Sequence, residues 1–257
     1  MKSLEESIAG AMDCSNTEIN AFLPYILQDF WEIGADPETI IQLVKKYRPD
    51  YADLTVLDLG SGKGAVSVKL SAALGCRCFG IDAIREFVQF AEKKAEEFGV
   101  ESICTFEQND IRTRLSGLGL FDVIILGAIG PVFGNYSETL SCLSGHLKPE
   151  GIIIIDDCYI DDDSSFVYPA ALKKTVFLRQ IKEAGMELAE EVPASSPTEI
   201  REEYDRELCL ITARCNELIK QQPEKAFLFE EYIAVQKREY EVLDTELVCG
   251  TFVIRPA

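Results

Sequence analysis

From Leu54 onward the apolar residues come in short runs rich in β-branched side chains, separated by stretches in which they recur every three or four positions. A run that is apolar at every position suits a strand covered on both faces, and the longer recurrence suits a helix lying on that sheet. The pattern predicts strands at 54–59, 76–81, 102–107, 121–127 and 151–155, with helices at about 64–74, 84–98 and 136–147 between them. Gly75 and Gly99 close the first two helices, since glycine takes up the left-handed conformation that ends a helix, and Gly185 closes another over about 169–184. A sixth strand is expected at Met186 to Val192 and a last one at Leu247 to Ile254.

The outer segments read as helical. Large apolar groups (Phe22, Leu23, Tyr25, Ile26, Phe30, Trp31) precede a start signal in which Asp36 caps a helix with Pro37 in its first position. The stripe of that helix is Ile40, Ile41, Val44 and Tyr47. Between the last two strands, Ser196, Pro197 and Glu199 spell a capping box, followed by the stripe Leu208, Ile211, Cys215 and Leu218. Pro223 breaks this helix and a second runs to about Val242. These readings divide the chain into an N-terminal helical lid over 1–50 and an α/β domain over 51–257, with a helical insertion at about 197–242.

A chain of 257 residues suits one α/β domain with accessory helices better than two independent domains. The 44 acidic against 25 basic residues give a formal net charge of -19, a field that repels phosphate backbones and anionic lipid. Nucleic acid is therefore not an expected partner, and no apolar run is long enough to span a bilayer. Among the nine cysteines there is no CxxC pair; Cys76 and Cys78 alternate along a strand as ordinary buried thiols do. With an odd count and no basic-then-apolar leader, a reducing, cytoplasmic setting is expected.

The chemistry concentrates where the first strand turns into the first helix, at Asp58-Leu59-Gly60-Ser61-Gly62-Lys63-Gly64. Glycine allows the sharp turn and a close approach of backbone to ligand. Asp58 stands at the carboxyl edge of its strand, Asp82 ends the second strand, and Asn109-Asp110-Ile111 ends the third. In an open α/β sheet that edge is where ligands bind, and three strand-end acids in register with a glycine turn are more specific than the glycines alone. Gly60, Gly62 and Ala65 also satisfy the dinucleotide fingerprint, with Asp82 near the spacing of its ribose acid, so an NAD(P)-dependent oxidoreductase is an alternative.

These residues resemble the class I S-adenosylmethionine-dependent methyltransferases, in the branch that includes the ubiquinone and menaquinone biosynthesis type. The pattern acidic-x-Gly-x-Gly-x-Gly stands as Asp58, Gly60, Gly62 and Gly64. The resemblance implies S-adenosylmethionine as cofactor, its methionine part in the loop with Ser61, its ribose on Asp82, one adenine face on Ala83 and Ile84, and the adenine edge on Asn109, Asp110 and Ile111. It implies a Rossmann-like, seven-stranded, mostly parallel sheet with helices on both faces and a reversed last strand. Lys63 departs from the family, which often has a small residue there, and is expected to point to solvent.

The implied reaction is methyl transfer to a small-molecule acceptor. The loop after the fourth strand, Gly127-Ala128-Ile129-Gly130-Pro131-Val132-Phe133, is placed beside the cofactor and lacks the motifs of DNA- and protein-methylating enzymes. Asp156 and Asp157, emerging at the end of the fifth strand, are the candidate catalytic residues, able to take a proton or attract a cationic acceptor. Asp161 to Asp163 read as a solvated loop, and Tyr25, Phe30, Trp31, Tyr159 and Tyr168 as packing groups that an acceptor pocket could also use. His146, the one histidine, lies away from this edge, so no metal site or histidine triad is expected. A protein that binds the cofactor without transferring the methyl group is a further alternative. The helical insertion either covers substrate or joins two subunits as a homodimer.

Overall fold

The apolar runs form the sheet. The computed structural model describes residues 3–194 and 197–257. Its strands are β1 (Thr55–Leu59), β2 (Arg77–Asp82), β3 (Cys104–Gln108), β4 (Phe121–Gly127), β5 (Leu147–Ile160), β6 (Leu172–Lys173), β7 (Met186–Pro193) and β8 (Val248–Pro256). Its α-helices are α1 (Leu4–Gly10), α2 (Leu23–Ile26), α3 (Pro37–Tyr47), α4 (Ala65–Leu74), α5 (Arg85–Glu97), α6 (Ile111–Arg114), α7 (Tyr136–Ser144), α8 (Lys174–Glu183), α9 (Pro197–Gln221) and α10 (Ala226–Thr245). The capping residue Ser196, expected to open α9, lies outside the described residues.

The sheet runs β3-β2-β1-β4-β5-β8-β7, with the two-residue β6 added beside β5. β1 pairs in parallel with β2 and β4, β2 with β3 and β4 with β5, while β7 and β8 pair antiparallel. The fold is thus the expected Rossmann-like, mostly parallel α/β sheet with a reversed last strand, enlarged by β6. Strand order reverses between β1 and β4, the point where the connections diverge to leave a crevice at the strands' carboxyl ends. Val56, Leu57 and Leu59 of β1, Val123 to Leu126 of β4 and Ile152 to Ile155 of β5 are all buried, which is why these strands read as unbroken apolar runs.

Two compact units share the chain: Trp31–Pro193 with Cys249–Ala257, and Met1–Phe30 with Ala194–Val248. The first holds the sheet, and α3 belongs to it. Arg48, just past α3, pairs with the buried Asp122 at 3.0 Å, and Asp122 also takes hydrogen bonds from Lys148, the Thr55 hydroxyl and the Thr55 amide. The second unit is helical. There α9 packs on α10, Tyr25 donates to Glu217 at 2.6 Å, Arg214 forks onto both oxygens of Asp29, and Phe22 meets Phe229 edge-on at 4.9 Å. Burial and the neighbouring Asp13 push the Glu239 carboxyl up to about 8.

Four details depart from the sequence reading. The helix expected over about 169–184 begins only at Lys174, where the two residues before it pair with β5 as β6. β5 does not end at Ile155 but runs to Ile160, so Asp156 and Asp157 sit within the strand. Lys63 does not reach solvent: it is buried, with its ammonium 5.0 Å from the Phe90 ring and 5.6 Å from Phe87, because cation–π contact offsets part of the cost of withdrawing the charge from water. Cys76 and Cys78 are the buried free thiols expected of strand neighbours, but Cys158 and Cys249 are joined in a disulfide, a pair 91 residues apart that spacing alone could not reveal.

The glycine loop is fixed partly by packing. Gly64, at φ +73°, has no room for a side chain, since a methyl there would lie 2.6 Å from the Ala91 Cβ and 2.7 Å from the Phe106 ring. Gly62, at φ +52°, faces open space. Gly64→Ala is expected to lose about 2–5 kcal/mol in urea unfolding, from left-handed strain plus overpacking, against about 1–2 kcal/mol of strain alone for Gly62→Ala. Equal losses for the two variants would contradict this packing.

Candidate active site

The carboxyl ends of β1, β2 and β4 lie side by side, with Leu59 opposite both Ile81 and Leu126. The loop leaving β1 turns at once, its Gly60 and Ser61 amides both donating to the Ile81 carbonyl, at 2.8 and 3.1 Å. Gly64 then caps α4 in the left-handed conformation. Ile129, from the loop after β4, lies over Gly60, where a built methyl would come within 2.8 Å of its Cγ2.

Asp82, the last residue of β2, is nearly fully buried and binds two loops at once. One oxygen accepts from the Gly62 amide at 2.8 Å and the other from the Ile84 amide at 2.8 Å. Burial pushes this carboxyl up, while the amides of Ile84, Gly62 and Ala83 draw it back. Each oxygen has a second lone pair, so the group can still accept from ligand hydroxyls. Asp58 is also buried and accepts from Ser67 of α4 at 2.6 Å. Its carboxyl is pushed up to about 6, chiefly by burial, against the Ser67 bond and with Asp82 adding to the rise.

Ala83, Ile84 and Ile111 are half-buried, leaving apolar surface at the ends of β2 and β3. Asn109 is held by Asp82 through its amide and turns its own oxygen to the Asp110 amide. Asp110 caps α6 and is gripped by Arg112, which lowers its carboxyl. Its side chain is thus partly committed to its own neighbour, which a reading of strand ends does not reveal.

On the other side of the switch, Gly127 pairs with Asp156 across β4 and β5, and the Ala128 amide donates to the Asp156 carbonyl at 2.9 Å. Ala128 is left-handed at φ 55°. Gly34 and Ala35, from the segment before α3, close over this turn: methyls built on Gly34 and Gly127 would lie 2.5 Å from Ala128 Cβ and 3.0 Å from Ala35 Cβ. Asp156 accepts from Thr251 of β8 at 2.8 Å, and burial raises its carboxyl to about 6, with Asp157 and Asp36 adding repulsion. Asp157 faces the other way and accepts from the Tyr136 hydroxyl of α7. Burial pushes Asp157 up, and it pushes Tyr136 well above the usual phenol range.

Tyr136, Thr251, Asp36 and Ser67 thus belong to the site but were not among the expected residues. Of these only Asp36 stood out in the sequence, and as a helix cap rather than a site residue. Tyr159 bonds Glu191 at 2.6 Å and Lys174 at 2.8 Å, and the Trp31 indole donates to the Lys63 carbonyl at 3.1 Å, so both are engaged in packing. Asp162 accepts from the Thr175 amide and hydroxyl at the start of α8, and His146 meets the Gly119 carbonyl, away from the crevice.

S-adenosylmethionine, the cofactor that the motif resemblance implies, can be tested against this cradle. The Ser61 hydroxyl is buried without a hydrogen-bond partner, and the space over Gly62 is clear to 4 Å. An unspent hydroxyl, a clear backbone face and a buried carboxylate with free lone pairs fit a polar adenosyl ligand. Among the described residues no group of His, Cys, Asp and Glu could hold a metal ion, and no helix is long and apolar enough to cross a membrane.

Comparison with known proteins agrees with this fold. A ubiquinone biosynthesis O-methyltransferase of Rickettsia felis is 32% identical over 118 residues, covering 46% of this chain and 47% of that protein. The matched stretch thus spans about half the length of that relative. A Geobacter sulfurreducens S-adenosylmethionine-dependent methyltransferase, crystallised with S-adenosylhomocysteine, superposes with a TM-score of 0.73 at 21% identity, over 92% of this chain and 98% of that one. A Thiobacillus denitrificans counterpart, also with S-adenosylhomocysteine, gives 0.71 at 20% identity, over 91% and 97%. The model of the methyltransferase domain family matches residues 50–231, most of the chain, and the protein belongs to that family.

Proposed function

We propose that this protein transfers a methyl group from S-adenosylmethionine to a small-molecule acceptor. The observation that carries the reading is the buried carboxylate of Asp82 holding Gly62 and Ile84 beneath an open glycine turn, in a chain of the methyltransferase family. Asp58 and the turn of Gly60, Ser61, Gly62 and Gly64, open over Gly62, would hold the methionine part, and Asp82 would accept from the ribose hydroxyls. Ala83 and Ile84 would cover one adenine face, Asn109, Asp110 and Ile111 would meet its edge, and Gly127 and Ala128 would also contact the cofactor. Bound there, the cofactor supplies an electrophilic methyl carbon on a sulfonium.

The protein's own work is alignment and exclusion of water, since displacement at that carbon needs the acceptor atom held in line. Asp156, beside Thr251, or Asp157 together with Tyr136 on the opposite face of β5, handles the proton of a hydroxyl or ammonium acceptor. A carboxyl raised to about 6 is close to the pH at which a base is both available and effective. The net charge of -19 disfavours nucleic acid as acceptor, and the name of the Rickettsia felis relative supports a small molecule.

Calorimetry with S-adenosylhomocysteine separates this reading from its rivals. Wild type is expected to bind it and to ignore NAD(H), and Asp82→Ala, folded by circular dichroism, is expected to lose roughly 10–100-fold in affinity. Tight NAD(H) binding, or an Asp82→Ala variant of full affinity, would refute the assignment. A screen of small acceptors with methyl-labelled cofactor then separates a methyltransferase from a protein that only binds.

Binding should also depend on pH. A carboxyl raised in the fold favours its neutral form, so Asp58 costs stability as pH climbs from about 4 to about 6. A ligand ammonium reverses the preference by favouring the ionised form. Affinity is therefore expected to be flat above about 6 and to fall by up to tenfold per unit below it. Asp58→Asn should bind more weakly at neutral pH and lose this slope. A wild-type profile flat from pH 4.5 to 7 would count against Asp58 as the group that meets the cofactor's charge.

A further inference from the structure

The reversed strand β8 meets β5 at two side-chain contacts. Thr251 donates to Asp156, and Cys249 is bonded to Cys158 with the two Cα atoms 4.0 Å apart. Each partner of the second contact lies two residues from its counterpart in the first, one going forward along β5 and the other backward along β8. That is what consecutive same-face rungs of an antiparallel pair give. The disulfide and the Thr251–Asp156 hydrogen bond are therefore one register, and slipping it by one residue would turn Thr251 to the opposite face. The backbone of Cys158 also donates to Asp157 at 2.7 Å, so the bonded cysteine touches the environment of both acids.

Both bonded cysteines are only half-buried. Four of the free ones, Cys76, Cys78, Cys104 and Cys215, are buried. Neither cysteine is sealed in the core as those four are, and complete burial is what would deny an attacking thiolate the bond.

We propose that Cys158 and Cys249 form a thiol–disulfide exchange site for a dithiol reductant, and that opening it releases the register holding Thr251 on Asp156. One sulfur of the dithiol attacks the protein disulfide to give a mixed disulfide and one protein thiolate, and its second sulfur then displaces the other. Two electrons and two protons pass to the protein, leaving two thiols, and the dithiol departs as its own disulfide. In the oxidised state β8 is pinned and Thr251 supports the ionised form of Asp156. In the reduced state β8 keeps its pairing with β7 and the burial of Phe252, but the crosslink that fixes it against β5 is gone, and Asp156 keeps the repulsion of Asp157 and Asp36 with less support from Thr251. Thr251 is thus a positioning residue, acting through the carboxylate. The inference extends the role given above to Asp156, but its readouts use neither cofactor nor methyl transfer.

The test uses the full chain, purified without reductant. Alkylation and mass spectrometry before and after dithiothreitol, on folded protein, should show Cys158 and Cys249 becoming reactive together while the four buried cysteines stay protected. The Asp156 carboxyl, followed by carbon NMR and assigned with Asp156→Asn, should titrate near 6 when oxidised and about one pH unit higher when reduced. Thr251→Val should raise it similarly in the oxidised protein, and reduction should then add nothing. A merely structural crosslink would change thermal stability without moving that titration. The Cys158→Ser, Cys249→Ser double variant should behave as the reduced protein does; if it does not fold, reduced wild type and Thr251→Val carry the comparison. Two free thiols in the protein as purified, a disulfide that dithiothreitol cannot open in the folded state, or an Asp156 titration unmoved by reduction would each overturn the proposal. S-adenosylhomocysteine binding measured on the same samples keeps a failure of the cofactor reading distinct from a failure of this one.

Discussion

Two backbone amides donating to one buried carboxylate organise the binding edge of this protein. Asp82 could not be ionised at such depth without donors, and the amides of Gly62 and Ile84 supply them. The same bonds fix the glycine loop after β1 and the start of α5, so burial of the charge and shape of the cradle are one constraint. The open face of Gly62 lies on the loop so held, while the Asp58 carboxyl beside it rises chiefly through its own burial, with the charge of Asp82 adding to it.

The glycines of this turn do different work. Gly64 is glycine because Ala91 and Phe106 occupy the space a side chain would need, and Gly60 because Ile129 lies over it. Only Gly62 leaves its space to a ligand. A motif read as a single ligand-binding device is thus two packing requirements around one opening. That is why the pattern constrains the fold more tightly than it constrains what is bound.

Much of the sheet was legible because parallel strands buried on both faces must be apolar throughout; β1, β2 and β4 lie within a residue of where their runs placed them. The strand-end acids Asp58 and Asp82 were legible for a similar reason, since a polar residue at the end of such a run has few roles other than the edge. What could not be read depends on contacts between distant segments. The extension of β5 past Ile155 places polar residues inside a strand, against the period that announced it. Tyr136 on Asp157, Thr251 on Asp156, Lys63 beneath two phenylalanine rings and the Cys158–Cys249 bond each join positions that no local pattern links.

The proposed crevice is two-sided, with a cradle at the ends of β1 and β2 and, on β5, Asp156 and Asp157 turned to opposite faces. A crystal structure of the protein grown with S-adenosylhomocysteine tests the cradle most directly. The account predicts the ribose hydroxyls within hydrogen-bonding distance of Asp82, the ligand lying across the open face of Gly62, and the Ser61 hydroxyl no longer alone. Density for the compound elsewhere on the molecule, with Gly62 still uncovered, would contradict it.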